Sequence, residues 1–284
     1  MTCIKEIETY MDSGTLTAIA TILLVLVGFA QILILNSQKR QTRIALIAQY
    51  RQLWTRCKEY FGNVIFIGRE TGEYYQIHNE TKLKELEELV SKHRLDMPTT
   101  WALESVQNVF NVLDELTTRI LQGHLKVSDT YPIVGTGFLR HSRPLRQLLD
   151  SEYHSVYFSS HSDKNHRQIH KEMQNWLIYH DGLRRRCLIL IDIFWAEAVR
   201  LEDLPPSDIR SAADAKKKTG KQNRRRIFRE TIRLNGLKKL FLAMKLSRFL
   251  KRAEYKSFWN FKGLKRSRLD KMEKNWTKRL LREK

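Results

Sequence analysis

An uninterrupted apolar run near the N-terminus is the strongest pattern in this sequence. Residues 15–35 read TLTAIATILLVLVGFAQILIL, carry no charge, and have Gln31 as their one strongly polar side chain. As a helix, these 21 residues extend about 31 Å, which matches the hydrocarbon thickness of a bilayer. The run is longer than the apolar core of a signal peptide, and no basic region precedes it. The sequence therefore predicts one transmembrane helix.

The charges that flank this run predict its orientation. Lys5 and three acidic residues precede it, whereas Lys39, Arg40 and Arg43 follow it. Basic residues are enriched on the cytoplasmic side of membrane segments. We therefore expect the N-terminus outside the cell membrane and residues 36–284 in the cytoplasm.

Beyond the membrane segment, apolar residues recur with the spacing of a helix. No segment alternates with period two for long, so strands are not expected and the predicted fold class is all-α. The first helix is predicted to continue as a stalk to Gly62, because apolar residues step by 3, 4, 3 and 4 at Ile47, Tyr50, Trp54, Cys57 and Phe61. Further helices are predicted over Thr81–Arg94, from Thr99 or Thr100 to Gly123, from Ser142 to Leu149, and as one long helix from about Asp163 to Leu201.

The stalk face permits two interpretations. Its spacing is close to a heptad, so two stalks of a homo-oligomer can pair through it. The same face can instead pack on the long helix of its own chain. The spacing alone does not distinguish them.

Charge divides the chain into a neutral body and a basic tail. The formal net charge is +20, from 51 basic and 31 acidic residues. Residues 1–205 contain 24 of each sign, whereas residues 206–284 contain 27 basic and 7 acidic residues. With a helix end at Pro205–Pro206, the predicted organisation is a short extracytoplasmic N-terminus (1–14), the transmembrane helix (15–35), a helical cytoplasmic domain (36–204), and a basic linker with a helical tail (205–284).

The tail is predicted to bind an anionic partner through two helices, about 222–257 and 264–282. Its apolar residues divide between two sides of a helix. Leu237, Leu240, Phe241 and Met244 lie on one side, and Leu242, Leu246, Phe249 and Leu250 lie on the other. Three partners remain open: the anionic leaflet of the membrane, nucleic acid, and another protein or copy of the chain. The candidate anion-binding residues are Lys216, Lys217, Lys218, Arg224, Arg225, Arg226, Lys238, Lys239, Lys251, Arg252, Trp259, Lys265 and Arg266.

Catalytic and metal-binding patterns receive little support. The sequence lacks GxxxxGK[ST], GxGxxG and GxSxG, and its three cysteines form no CxxC pair. His166 and His170 share a helix face and are candidate metal ligands, although Arg167 stands where a zincin motif has Glu. No enzyme activity and no cofactor are expected.

Several stretches together resemble a known family. They are the apolar span, RIALIAQYRQLW in the stalk, NVFNVLDELTTRILQGHLKVSDTY at 108–131, and NWLIYHDGLRRR at 175–186. They are similar to an uncharacterised family of bacterial single-pass membrane proteins with a helical cytoplasmic domain of unknown function. The resemblance covers roughly residues 15–200 and leaves out the tail. It implies the topology and the fold class and supplies no catalytic residues.

These observations predict a membrane-anchored binding or scaffold protein. Its basic cytoplasmic tail is expected to engage anionic lipid at the inner face of the membrane. The alternative is a membrane-tethered nucleic-acid-binding protein of a bacterial stress or anti-phage system.

Overall fold

The structure is a computed structural model, and it describes residues 13–69, 96–150, 164–180, 182–201 and 204–250, with six helical residues between 267 and 275. No strand occurs in these residues, which confirms the all-α prediction. The predicted helix Thr81–Arg94 lies outside them. The helices are α1 (Ser13–Gly68), α2 (Asp96–Gln122), α3 (Val127–Arg140), α4 (Ser142–Leu149), α5 (Lys164–Tyr179), α6 (Leu183–Leu201), α7 (Pro206–Asn235), a 3₁₀ turn (Leu237–Lys239) and α8 (Leu240–Phe249).

The chain forms two compact units, Met1–Ala48 and Gln49–Lys284, and α1 contributes to both. In the first unit, apolar side chains of α1 are exposed, including Leu24 at 72% and Val25 at 66%. Among the described residues, α1 is the one helix long and apolar enough to cross a membrane. A helix that exposes such side chains throughout needs an apolar surrounding.

In the second unit, α1 belongs to the protein core. The helix continues past Gly62, so the predicted end at Gly62 is wrong. The physical reason is the buried run Val64–Ile67, whose four side chains are at most 3% exposed. The helix ends at Gly68, where a Cβ atom would collide with the carbonyl oxygen of Pro144.

The stalk face of α1 packs within its own chain. The rings of Trp54 and Phe138 meet edge to face, with centroids 6.3 Å apart. The Sγ of Cys57 lies 3.4 Å from the carbonyl oxygen of Asn108 in α2. The stalk face therefore packs within its own chain, but these contacts are with α2 and α3 and not with the long helix expected at 163–201. Pairing of two stalks in a homo-oligomer stays a hypothesis.

Glycines decide where several helices end. Helix α2 begins at Asp96, earlier than predicted, because Pro98 is tolerated in a first turn. It ends before Gly123, as predicted, where φ is +81°. The bounds of α4, Ser142–Leu149, are also as predicted.

The long helix expected from 163 to 201 is instead two helices, so that prediction is wrong. Helix α5 ends at Tyr179, and α6 begins after Gly182, whose φ is +77°. A positive φ interrupts a right-handed helix and costs glycine least. The carbonyl oxygen of Gly182 then accepts the Arg186 N–H at 3.0 Å and starts α6.

Helix α6 is the centre of the core. Its apolar stretch, residues 187–199, is buried on nearly all sides. With 13 residues that include Asp192 and Glu197, it is too short and too charged to span a membrane. Phe194 meets the rings of Tyr131 and Phe138 of α3 edge to face, at 5.6 and 6.0 Å. Asp192, 4% exposed, forms an ion pair with Arg146 of α4. Residues 187–199 therefore form a buried core helix.

The basic tail begins as a helix and not as a linker. Helix α7 starts at Pro206, a residue well suited to a first helical position, and runs for 30 residues. It ends at Gly236, where φ is +67°, so the helix expected over 222–257 is also interrupted. Lysine and arginine are good helix formers, and tertiary contacts described below hold α7 in place.

Candidate anionic-ligand interface

The inward face of α7 fixes the basic tail on the body. Ile227, Glu230 and Thr231 are at most 2% exposed. Near the end of α7, the Asn235 side-chain amide donates to the carbonyl oxygen of Leu121 at 3.1 Å. These buried positions share one side of the helix, so the remaining sides of α7 are free to carry its basic residues.

A charged cluster joins α2, α6 and α7. Arg186 donates to the two carboxylate oxygens of Asp114 at 2.5 and 2.9 Å, and a third nitrogen lies 3.6 Å from Glu230. Arg185 reaches Glu230 from the more exposed side at 3.2 Å. Glu230 is only 3% exposed at its side chain, so its charge requires these cations.

The pKa shifts within this cluster follow from burial and pairing. Burial raises the pKa of Asp114, and Arg186 opposes that rise without cancelling it. Burial acts to lower the pKa of Arg186, but the hydrogen bond and charge of Asp114, with the charge of Glu230, raise it overall. The ion pairs therefore link the three helices through charged groups that face one another.

Three basic residues on the outer sides of α7 have no acidic partner among the residues that the structure describes. Within the described parts of the chain, Lys221, Arg225 and Arg229 are exposed and form no ion pair. Arg224 and Arg226 are half-buried. Lys216, Lys217 and Lys218 lie within α7, but their side chains are outside what the structure describes. The predicted run Arg224–Arg226 thus divides between different sides of the helix.

A groove with basic walls lies between α7 and α8. Its volume is about 440 Å³, and its described lining consists of Lys221, Arg224, Arg225, Phe228 and Arg229 from α7 with Ser247 from α8. None of these residues is acidic. Sequence reasoning identified Arg224 and Arg225 but missed the other four. The signal available was the spacing of 221, 224, 225 and 228, which places those side chains on one side of a helix.

Helix α8, together with Leu237 of the preceding 3₁₀ turn and Leu250 after it, has one buried and one exposed apolar face. Ala243, Leu246 and Leu250 are buried against the body. On the opposite face lies the exposed stripe, which we define as Leu237, Leu240, Phe241 and Met244, exposed by 77%, 41%, 77% and 37%. The basic residues beside it, all exposed, are Lys238, Lys239, Lys245 and Arg248. The predicted division of apolar residues between two sides is therefore real, and packing decides which side meets solvent.

The remaining predicted anion-binding residues fall beyond α8. Lys251, Arg252, Trp259, Lys265 and Arg266 lie outside the described residues. The described positions near the C-terminus are tied to the start of α7, because Arg210 contacts Asp270 at 2.8 Å and Glu273 at 2.6 Å.

The two candidate metal ligands have another task. His166 Nε2 and His170 Nδ1 both donate to the carbonyl oxygen of Ile67, each at 3.0 Å. Ile67 belongs to the last turn of α1, where carbonyl oxygens have no partner within the helix. The i, i+4 spacing thus serves to cap a helix end. Among the described residues, no group of three potential ligands comes together.

Comparisons with family models, with curated proteins and with solved structures yield no match to this chain.

Proposed function

We propose that this chain is a single-pass protein of a bacterial inner membrane, with its N-terminus outside and its helical body in the cytoplasm, and that it binds anionic lipid through α7 and α8. Its role is binding or scaffolding at the membrane surface and not catalysis. The observation that carries this proposal is the exposed stripe with basic residues on its edges.

An exposed apolar face of this kind suits the boundary between water and lipid. Leu237 and Phe241 together expose most of two large side chains. Burying such side chains is worth about 1.5–3 kcal/mol each when complete. Each basic residue near an anionic leaflet adds about 1 kcal/mol. An amphipathic helix with a polybasic margin is the usual form of an interfacial membrane contact.

The membrane segment makes this contact easier to form. A surface carried on an anchored chain is already concentrated at the bilayer. Most of the translational entropy that a free protein would lose on binding has therefore been given up by the anchoring. A small apolar stripe is therefore sufficient in an anchored protein, where it would be weak in a free one. The orientation follows from Lys39, Arg40 and Arg43 on the C-terminal side of the run 15–35.

The full chain in vesicles tests the proposal. With Cys3→Ser as background, Leu237→Cys carries an environment-sensitive fluorophore, and Glu172→Cys, exposed on α5, is the matched control. We expect a blue shift and quenching by brominated lipid at position 237 in anionic vesicles, and neither at position 172. Replacing Lys238, Lys239 and Lys245 by Gln should reduce both signals, as should salt near 1 M, where the Debye length is about 3 Å.

Two results would overturn the lipid assignment. The first is a label at position 237 that reports water in both anionic and neutral vesicles. The second is loss of quenching when single-stranded RNA or DNA is added at comparable phosphate concentration and physiological salt. That result would identify nucleic acid as the preferred ligand of this surface. Orientation has its own test: a reporter active only in the cytoplasm, fused after Lys284, should be active.

A further inference from the structure

We propose that the groove between α7 and α8 is a binding site for a ligand that carries two or more phosphate groups. This goes beyond a general attraction to anionic lipid, because it assigns a defined site and a chemical class. Only the lipid source of the phosphates depends on the proposed function. The phosphate chemistry does not.

The size and composition of the groove favour a small polyanion. A volume of about 440 Å³ lies within the range of small-molecule sites. Four of its six lining residues are basic, and three of those four are arginines. The planar fork of arginine binds phosphate oxygens in pairs, and the Ser247 hydroxyl adds a neutral donor. Phe228 supplies an apolar surface for the ring or glycerol part of such a ligand.

Three of the four basic residues of the groove differ from the arginines that link the helices of the body, because they have no counter-charge among the described residues. Arg146 is paired with the buried carboxylate of Asp192, and Arg185 and Arg186 are paired with that of Glu230. Lys221, Arg225 and Arg229, in contrast, have no ion pair within the described residues, although they lie close together. Like charges gathered on one wall repel one another, and a polyanion relieves that repulsion. A single phosphodiester, with one negative charge, neutralises only part of it.

The position of the groove relates it to the exposed stripe. Ser247 follows Leu240 by seven residues and Met244 by three, so it stands beside these two residues along one side of α8. Lys245 lies on the other side of the stripe, at about 100° per residue. If the stripe lies in the bilayer boundary, the groove opens at the level of the headgroups. A lipid bearing a phosphomonoester or two phosphates then fits the site, and a soluble polyphosphate has the same chemistry.

The test uses the full chain in nanodiscs of neutral lipid at about 0.15 M salt. Tripolyphosphate is the soluble probe. Inorganic phosphate, which has a single phosphate group, is the comparison ligand, and the binding of both is titrated by calorimetry. The groove variant is Arg225→Gln with Arg229→Gln. The matched control is Lys58→Gln with Lys171→Gln, which removes the same charge at two exposed positions of α1 and α5 outside both the groove and the exposed stripe.

We expect tripolyphosphate to bind more tightly than phosphate. The groove variant should weaken the binding of tripolyphosphate at least tenfold, because it removes charge-assisted hydrogen bonds to the ligand. The control variant should weaken this binding less than twofold, because it removes only distant, screened charges. All the substituted side chains are exposed, so unchanged circular dichroism and unfolding should accompany both variants. Equal weakening by the two variants, or no binding of tripolyphosphate, would overturn the site. Tighter binding of single-stranded RNA at equal phosphate, lost in the groove variant, would overturn it in favour of nucleic acid.

A second arm identifies the source of the phosphates. Nanodiscs that contain phosphatidic acid or cardiolipin are compared with discs that contain phosphatidylglycerol at equal charge. Tripolyphosphate should compete with the first two lipids for the groove, and the groove variant should lose the preference for them. If tripolyphosphate binds in the groove while the label at position 237 stays in water, the groove stands with a soluble ligand and the proposed function fails.

Discussion

Replacing Arg186 by Met tests the charged cluster that joins α2, α6 and α7. Arg186 binds Asp114 through two hydrogen bonds and also approaches Glu230. Without it, Glu230 keeps Arg185 at 3.2 Å, but Asp114 loses its ion pair while only 19% exposed at its side chain. Leaving a buried carboxylate uncompensated costs about 3–5 kcal/mol. Because Asp114 is partly exposed, we expect the free energy of unfolding to fall by an amount near the lower end of this range, about 3 kcal/mol.

The loss should depend on pH in a defined direction. Burial raises the pKa of Asp114 above its ordinary value, and Arg186 counteracts the rise. Removing Arg186 therefore raises the pKa of Asp114 further. A raised carboxyl pKa means that the folded state is favoured at low pH and that this advantage is lost as pH rises through the folded pKa. The gap in stability between the variant and the original chain should narrow as pH falls toward 4 and reach its full size near neutral pH.

The measurement is urea unfolding of the full chain in detergent, followed by fluorescence of its six tryptophans between pH 4 and 8. Adding Asp114→Asn to Arg186→Met should restore about 1–3 kcal/mol, because the uncompensated charge is removed. Arg185→Met is the matched control. Its side chain is 45% exposed, so its loss should stay below about 1 kcal/mol. A loss under 1 kcal/mol for Arg186→Met, or one that is independent of pH, would refute the reasoning.

Three further predictions concern glycine and cysteine. Gly182→Ala should lower the free energy of unfolding by about 1–2 kcal/mol, because φ is +77° and the new Cβ would lie 2.7 Å from a guanidinium nitrogen of Arg186. Gly62→Ala, inside α1 with open space around it, should be neutral or stabilising in the same urea assay. Burial raises the pKa of the Cys187 thiol well above its ordinary value, so iodoacetamide at pH 8 should modify Cys187 only after unfolding, and modification of the folded chain, detected by mass spectrometry, would contradict this. Cys57 is 7% exposed, so oxidant should give no Cys57-linked dimer in membranes, and a dimer band absent from Cys57→Ser would support pairing of two stalks instead.

The sequence alone determined the features that depend on neighbouring residues. The apolar run 15–35 predicts a helix able to cross a membrane because its length and lack of charge are local properties. The end of α2 before Gly123 and the bounds of α4 were equally accessible, since glycine and proline act on the backbone where they stand. Hydrophobic spacing also identified the all-α fold class.

Some local patterns failed where distant contacts outweighed them. The steps of 3 and 4 continue through residue 182, yet the chain turns there with a positive φ. Residues 206–220 have the composition of a linker, yet they are helical in α7, whose Glu230 binds arginines of α6. Similarly, His166 and His170 meet the carbonyl oxygen of Ile67, about a hundred positions earlier in the chain. Spacing within a short segment contains no information about such partners.

Only the tertiary structure decided which residues form the candidate site. The sequence placed Phe241 and Leu246 on opposite sides of one helix and could not tell which side is buried. Likewise, Ser247 of α8 becomes part of a basic groove only because α8 turns back at Gly236 onto α7. The physical reason is that a helix's own pattern fixes which side chains share a face. Exposure and neighbours depend instead on where the other helices pack, which is set by contacts between residues far apart in the chain.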